Sequence, residues 1–480
     1  MAEPWFSHSP VIALSTSVRT SRKYLNDHHE IDQARMFEPV TKWNATVPSI
    51  HRIDDMISSA VRNSIIGCTG PTHVSIPRDY LNSDEKIEED KTLFNDCVNI
   101  YPHTETEDIN KIIEKITQSK RPIILAGAGV LISKAENELK EFAQIFKIPV
   151  ATSTGGKGSF IENDSLSIGV VGQHSRKVAN KIMGEADLVI VLGSDLGGMV
   201  TNDRKLFSAN VKIIQIDIDV AKIGSTRKVD FPIQSDIRSA LQAIILKTKL
   251  KKYPKNSISQ GWLTNINKQV QAWYKDLHNL ETRSKTSGTI YHETIMKILR
   301  QKANPKDILV SDTGYSEAWT AAIYPVLKAG RFYLRPAGTL GWAFPAAMGA
   351  QLAKPNNRVV CVTGDGGLAY HIGNLETAVR LQIPTITIVL NNQSFAFEHH
   401  YQKYLFGKVI PEVNDFAKVD HAAVARAHGA FGVRVNSDKE LSEALDEAYL
   451  QKGPSIIDVP VDKEALAPVA HYGNKINQPI

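Results

Sequence analysis

At 480 residues the chain exceeds what one hydrophobic core organises and suits about three domains of the usual size. Its 56 basic and 51 acidic side chains leave a net charge of +5, dispersed along the chain, which argues against a nucleic-acid or membrane partner. No apolar run reaches the ~20 residues that span a bilayer, and Met1-Ala-Glu-Pro-Trp5 has neither the basic start nor the apolar centre of a signal peptide. The three cysteines, Cys68, Cys97 and Cys361, are too far apart for a metal pair and odd in number, so a reducing, cytoplasmic setting is expected.

In chain order, residues 1–85 offer only Pro10-Val-Ile-Ala-Leu14 and His73-Val-Ser-Ile76 as strands and read as part of a domain. Residues 86–108, rich in Asp, Glu and Lys, read as a linker. The block 109–247 alternates strands and helices. Its strands are Pro122-Ile-Ile-Leu125, Ile148-Pro-Val150, Leu188-Val-Ile-Val-Leu192 and Lys212-Ile-Ile-Gln-Ile-Asp217. One helix is opened by the capping-box spacing of Ser133 with Glu136, and another lies between Ser175 and Gly184. Residues 248–287 mix charge with Pro, Ser, Asn and Gln and read as a second linker, with the basic run from Lys247 to Lys255 a solvated connector. The block 288–480 repeats the alternation, with strands at Asp307–Val310, Arg358–Thr363, Pro384–Leu390, Gly432–Val435 and Ser455–Val459, and a capped helix starting at Ser437-Asp-Lys-Glu440. Strand and helix in alternation imply an α/β fold of doubly wound parallel sheets, with chemistry at the carboxyl ends of the strands.

One constellation carries chemistry. The strand at 358–363 runs into Gly364-Asp365-Gly366-Gly367, where bare backbone can approach a phosphate but the carboxylate repels it unless a cation lies between them. A helix follows, with Leu375, Ala378 and Val379 on one face, and the next strand ends in Asn391-Asn392. Strand, helix and return strand bring both loops to one sheet edge. The Asp365 carboxylate, the Asn392 amide oxygen and the backbone carbonyl of Ser394 then make part of the oxygen shell that Mg²⁺ prefers. Separately, the first piece reads as a turn and the second as a strand-end cap.

In this order the pieces resemble the motif of thiamine-diphosphate-dependent enzymes, and the chain as a whole resembles acetolactate synthases and related 2-oxoacid decarboxylases and carboligases. Asp312-Thr-Gly-Tyr-Ser-Glu-Ala-Trp319 resembles a family loop that meets the diphosphate, bringing in Thr313 and Gly314. Ala337-Gly-Thr-Leu-Gly-Trp-Ala-Phe-Pro-Ala-Ala347 resembles a further family element, bringing in Gly338 and Leu340. The resemblance implies three domains of this type, the first incomplete, with cofactor contacts at Thr313, Gly314, Gly338, Leu340, Gly364, Asp365, Gly366, Gly367 and Asn392. It implies that Leu340 props the cofactor into a bent shape in which its own amino group activates it. The implied reaction is decarboxylation of pyruvate and transfer of the two-carbon unit to a second carbonyl, as in branched-chain amino acid biosynthesis. A 2-oxoacid is the small-molecule partner, and a homodimer or homotetramer is expected, with a regulatory subunit left open.

The chain also departs from the family. Acetolactate synthases hold FAD partly through an Arg-containing loop, and the matching Gly193-Ser-Asp-Leu-Gly-Gly-Met-Val200 has no Arg. Gly127, Gly129, Asp217 and Asp219 serve equally as nucleotide contacts or as turn glycines and strand-end acids, so FAD stays open. Glu398 stands where decarboxylase-like relatives place a Glu. There it is either a proton shuttle with a raised pKa in an apolar cleft or a solvated acid beside His399 and His400. His29, in His28-His29-Glu30, is either a loop residue or a partner for a substrate carboxylate. The family's activating Glu has no counterpart here, and about eighty residues of the family pattern are missing, which leaves a sheet with an exposed edge. Either the start lies upstream, or the missing piece is another polypeptide, or the chain is a decayed relative; the first is expected, because the cofactor-binding motif residues are all serviceable. The competing readings are simple 2-oxoacid decarboxylation and a catalytically silent binding chain.

Overall fold

The run Pro122–Ala126 shows how the sequence builds its sheets. Ile124 and Ala126 belong to one buried cluster, with Ile112, Phe142 and Leu241, while Ile123 and Leu125 belong to another, with Ile182, Met183 and Ile266. A strand apolar on both faces needs helices on both sides, which is the doubly wound arrangement. The computed structural model describes residues 1–85, 101–250, 258, 260–283, 288–468 and 470, and it separates Met1–Pro102 from His103–Ile480.

The first unit holds a three-stranded parallel sheet in the order Ile12–Ser17, Thr72–Pro77, Trp43–Thr46. The helix Ile53–Ile65 lays Ala60 against Val47, Val74 and Ile76 in a small core. The strand at Trp43–Thr46 adds to the two expected. Leu14, on an edge strand, is 59% exposed.

The second unit contains two six-stranded sheets, parallel throughout. The first runs Ser167–Val170, Val150–Thr152, Pro122–Ala126, Leu188–Leu192, Lys212–Asp217, Phe231–Gln234. The second runs Tyr333–Leu334, Ile308–Ser311, Val359–Gly364, Ile386–Asn391, Ser455–Pro460, Phe431–Arg434. Ser437 caps the helix Asp438–Leu450 as expected, accepting from the Glu440 N–H while the Glu440 carboxylate accepts from the Asn436 N–H. Ser133 caps nothing. It ends the helix Ala128–Ile132, and the next helix, Glu136–Phe146, starts at Ala135 without a side-chain cap.

The stretch read as a second linker is largely helix. Gln260–Glu281 forms 22 residues of helix, whose Trp262, Ile266 and Val270 enter the core of the first sheet while Trp273 and Leu277 enter that of the second. The basic run is helical to Leu250, and Lys251 to Lys255, most of residues 86–108 and Cys97 lie outside the described residues. Among the described residues no helix is long and apolar enough to cross a membrane.

A buried ionic triad joins the two sheets' layers. The Glu162 carboxylate accepts from Lys157 and from Arg176, all three at most 4% exposed. Lys157 also donates to the Ala321 carbonyl at 3.1 Å and Arg176 to that of Ala322 at 2.8 Å, and Glu162 accepts the Val326 N–H at 3.0 Å. Removing the shared anion leaves two cations without water, so Glu162→Gln is expected to destabilise the protein by about 3–5 kcal/mol. Denaturant unfolding checks this, and a loss under about 1 kcal/mol would mean that the triad is solvated on this scale.

Candidate functional site

Ile308–Ser311, Val359–Gly364 and Ile386–Asn391 are neighbouring parallel strands, so their carboxyl ends deliver Asp312, Asp365 and Asn392 to one edge. Asp312 is 1% exposed and accepts the Thr363 hydroxyl at 2.7 Å, the Gly341 N–H at 3.1 Å and the Thr313 N–H at 2.9 Å. Burial raises its carboxyl above the usual range against these bonds.

Asp365 is buried too. Its Oδ1 accepts the Gly366 N–H at 2.9 Å and its Oδ2 accepts the Gln393 N–H at 2.6 Å, the second bond crossing to the loop that carries Asn392. Asn392 Oδ1 accepts the Ser394 N–H at 3.0 Å. Burial pushes the Asp365 carboxyl up to about 7, with the Asp458 carboxylate adding to the effect. A bound divalent cation reverses that balance, and a carboxylate with an amide oxygen suits a hard one.

The glycines divide into two kinds. A Cβ on Gly364 or Gly338 meets nothing within 4 Å, so their backbone stands bare. A Cβ on Gly366 falls 2.5 Å from the Phe395 ring and one on Gly367 falls 2.4 Å from Asp312 Oδ2, so packing alone demands glycine there. Gly314 takes a left-handed φ of +73° at the turn into the helix Tyr315–Ile323.

These residues open onto a cavity of about 400 Å³ between the two sheets' layers. It gathers Thr313, Gly314, Gly338, Leu340, Gly364, Asp365, Gly366, Gly367, Asn392, Ser394 and Glu398. Glu398 is exposed on the helix Ala396–Tyr401. His29 belongs to the first unit, where it is exposed at φ +65°.

Sequence reasoning passed over the cavity's charged group. Glu317 is 2% exposed, with its carboxylate 3.6 Å from His174 Nδ1 and 3.6 Å from Arg335 Nε. Burial works to raise this carboxyl, but Arg335 and His174 outweigh it and hold it below its usual value. Among the described residues Arg335 is the only Arg or Lys lining the cavity. Glu317 lies inside the segment 312–319 and Arg335 two residues before the segment 337–347, so an acid within one quoted motif and a cation beside the other were the signal available.

The central sheet carries the residues expected at a flavin nucleotide. A Cβ on Gly127 falls 2.1 Å from the Gly193 carbonyl and one on Gly129 falls 2.6 Å from Gly193 Cα, so two loops in contact account for these glycines. Asp217 is pushed up to about 6 by burial, with Asp219 and Asp195 adding repulsion. Three carboxylates suit ribose hydroxyls but oppose a diphosphate. These acids do not fit the diphosphate of FAD.

Two family descriptions match the second unit: thiamine pyrophosphate enzyme, central domain, over residues 109–244, and thiamine pyrophosphate enzyme, C-terminal TPP binding domain, over residues 312–459. The chain is 32% identical to a probable acetolactate synthase large subunit of Methanococcus aeolicus, over 98% of this chain and 80% of that protein. It is 31% identical to the corresponding probable large subunit of Methanocaldococcus jannaschii, over 100% of this chain and 82% of that protein. With the acetolactate synthase isozyme 3 large subunit of Escherichia coli the identity is 26%, over 100% of this chain and 84% of that protein. The paired strand ends, the bare glycines and these matches lead to one conclusion: the chain belongs to the thiamine pyrophosphate enzymes of the acetolactate synthase large-subunit family.

Proposed function

We propose that this thiamine-diphosphate-dependent enzyme holds its cofactor through Mg²⁺ at Asp365, Asn392 and the Ser394 carbonyl, and makes acetolactate from pyruvate. The observation that carries the reading is the bond from the Gln393 N–H to Asp365 Oδ2, which ties the two loops at neighbouring strand ends on one cavity. The bare backbone of Gly364 and Gly338 offers N–H groups to phosphate oxygens, with Thr313 and Gly314 beside them. Leu340, half-buried on the cavity wall, supplies the apolar surface against which the cofactor bends. When bound, thiamine diphosphate supplies a nucleophilic carbon and an electron sink for decarboxylating a 2-oxoacid.

Arg335 is the group we assign to the substrate carboxylate, because it is a permanent cation on the cavity and Glu317 holds it from one side. Glu398, exposed at the same cavity, can exchange a proton with water and with the reacting group, a role that also favours simple decarboxylation as the second reading. The relatives are described as large subunits, and we take this chain to assemble with copies of itself and with a second kind of subunit, in the cytoplasm. The domain limits that follow are 109–247 for the central domain and 288–480 for the diphosphate-binding one, with Gln260–Glu281 packed between them.

Asp365→Ala and Asn392→Ala are each expected to lower metal-dependent thiamine diphosphate affinity by about 100-fold or more while leaving the protein folded. Titration calorimetry with Mg²⁺, alongside circular dichroism, reads both, and unchanged affinity in either variant removes that residue from the metal. Arg335→Gln is expected to raise KM for pyruvate about tenfold or more with cofactor affinity unchanged. A variant whose cofactor affinity falls while KM holds would move Arg335 to the diphosphate.

A further inference from the structure

The helix Ala396–Tyr401 turns Ala396, Phe397 and Glu398 to the cavity, and the next two residues, His399 and His400, are buried, 5% and 0% exposed. Buried polar nitrogens are normally hydrogen-bonded, and each exception calls for a cause. Among the described residues neither ring nitrogen of His399 has a hydrogen-bond partner, and Nε2 of His400 has none. His399 Nε2 lies 2.8 Å from Glu464 Oε1, an ion-pair contact that already brings two of the three groups together. A ring nitrogen from each histidine and a carboxylate oxygen of Glu464 fall within 4.8 Å of one another.

We propose that His399, His400 and Glu464 bind a divalent ion of borderline softness, zinc being the reference, at a site that shares no ligand with the diphosphate-binding edge. Two imidazoles and a carboxylate with a fourth position left to water form a recurrent zinc donor set. The same set rejects Mg²⁺, which takes oxygen ligands. Tetrahedral zinc bonded at about 2.0–2.1 Å holds its donors roughly 3.4 Å apart. The side chains therefore draw together on binding, and Glu464, 45% exposed, has the freedom to move.

The surroundings support this assignment. The Tyr315 hydroxyl lies 2.7 Å from His400 Nδ1, which orients the ring from behind and leaves Nε2 as the nitrogen without a partner. Lys403 Nζ donates to Glu464 Oε2 at 2.6 Å, so the carboxylate binds the ion through Oε1. The ion ties the helix that carries Glu398 to the segment that carries Glu464, whose neighbour Ala465 lines the same cavity. Its consequence is a cavity with two walls pinned together.

Zinc titrated into the full chain with Mg²⁺ present, and cobalt substituted for its visible spectrum, test the site. One equivalent is expected to bind with tetrahedral cobalt bands. Glu464→Gln, a change on a half-exposed side chain that keeps the fold, and His399→Asn are each expected to weaken zinc binding about tenfold or more. If His399→Asn fails to fold, Glu464→Gln decides alone. No saturable binding by the parent chain, or equally tight binding in Glu464→Gln, overturns the proposal.

Discussion

The carboxylate of Asp312 accepts hydrogen bonds from its own loop at Thr313, from the neighbouring strand at Thr363 and from the turn at Gly341. A carboxylate taken out of water is stable only when its lone pairs are filled, so these three segments move together or not at all. That constraint reaches the cavity by short steps. Gly367 lacks a side chain because Asp312 Oδ2 occupies the space, and the turn that carries Leu340 is held by the Gly341 N–H. Gly364, the last residue of its strand, and Asp365, the first of the helix Asp365–His371, follow Thr363 directly. Catalytic loops are usually the mobile parts of a fold, but here they start from a buried, charged anchor.

The second constraint sets the two sheets. A parallel sheet places its chemistry at one edge, and a cavity needs a wall opposite that edge. The helix Gln260–Glu281 contributes side chains to the cores of both sheets, and the Lys157–Glu162–Arg176 triad bonds to the carbonyls of Ala321 and Ala322 at the end of the helix Tyr315–Ile323. The same helix begins at the cavity with Tyr315, Ser316 and Glu317. Gln173, His174 and Met199 of the central layer therefore face the diphosphate-binding edge across a fixed gap.

How much of this was legible depends on burial. Strands covered on both faces, such as Leu188–Leu192 and Lys212–Asp217, carry long β-branched runs and were readable residue by residue. The four strands that went unread, Trp43–Thr46, Ser167–Val170, Phe231–Gln234 and Tyr333–Leu334, all lie at sheet edges. Each of these edge strands is only two to four residues long, too short to show such a run. The helix Gln260–Glu281 went unread for the opposite reason. Its stripe of Trp262, Ile266, Val270, Trp273 and Leu277 has helical spacing, but the polar residues between dominated the reading. At the site, Asp365 and Asn392 were legible because their order around one strand–helix–strand unit is local. The group of Glu317, His174 and Arg335 was not, since His174 comes from the other sheet's layer and only folding assembles it.

The central claim is that the edge formed by Asp312, Asp365 and Asn392 is where a divalent ion and a diphosphate meet. A crystal of the chain grown with thiamine diphosphate and Mn²⁺ in place of Mg²⁺ tests it most directly, because Mn²⁺ gives an anomalous diffraction signal and accepts oxygen ligands. The account predicts an anomalous peak bounded by the Asp365 carboxylate, the Asn392 amide oxygen and the Ser394 carbonyl, with diphosphate density against Gly364 and Gly338. A cofactor bound elsewhere, or at this edge with the manganese peak away from Asp365 and Asn392, would contradict it.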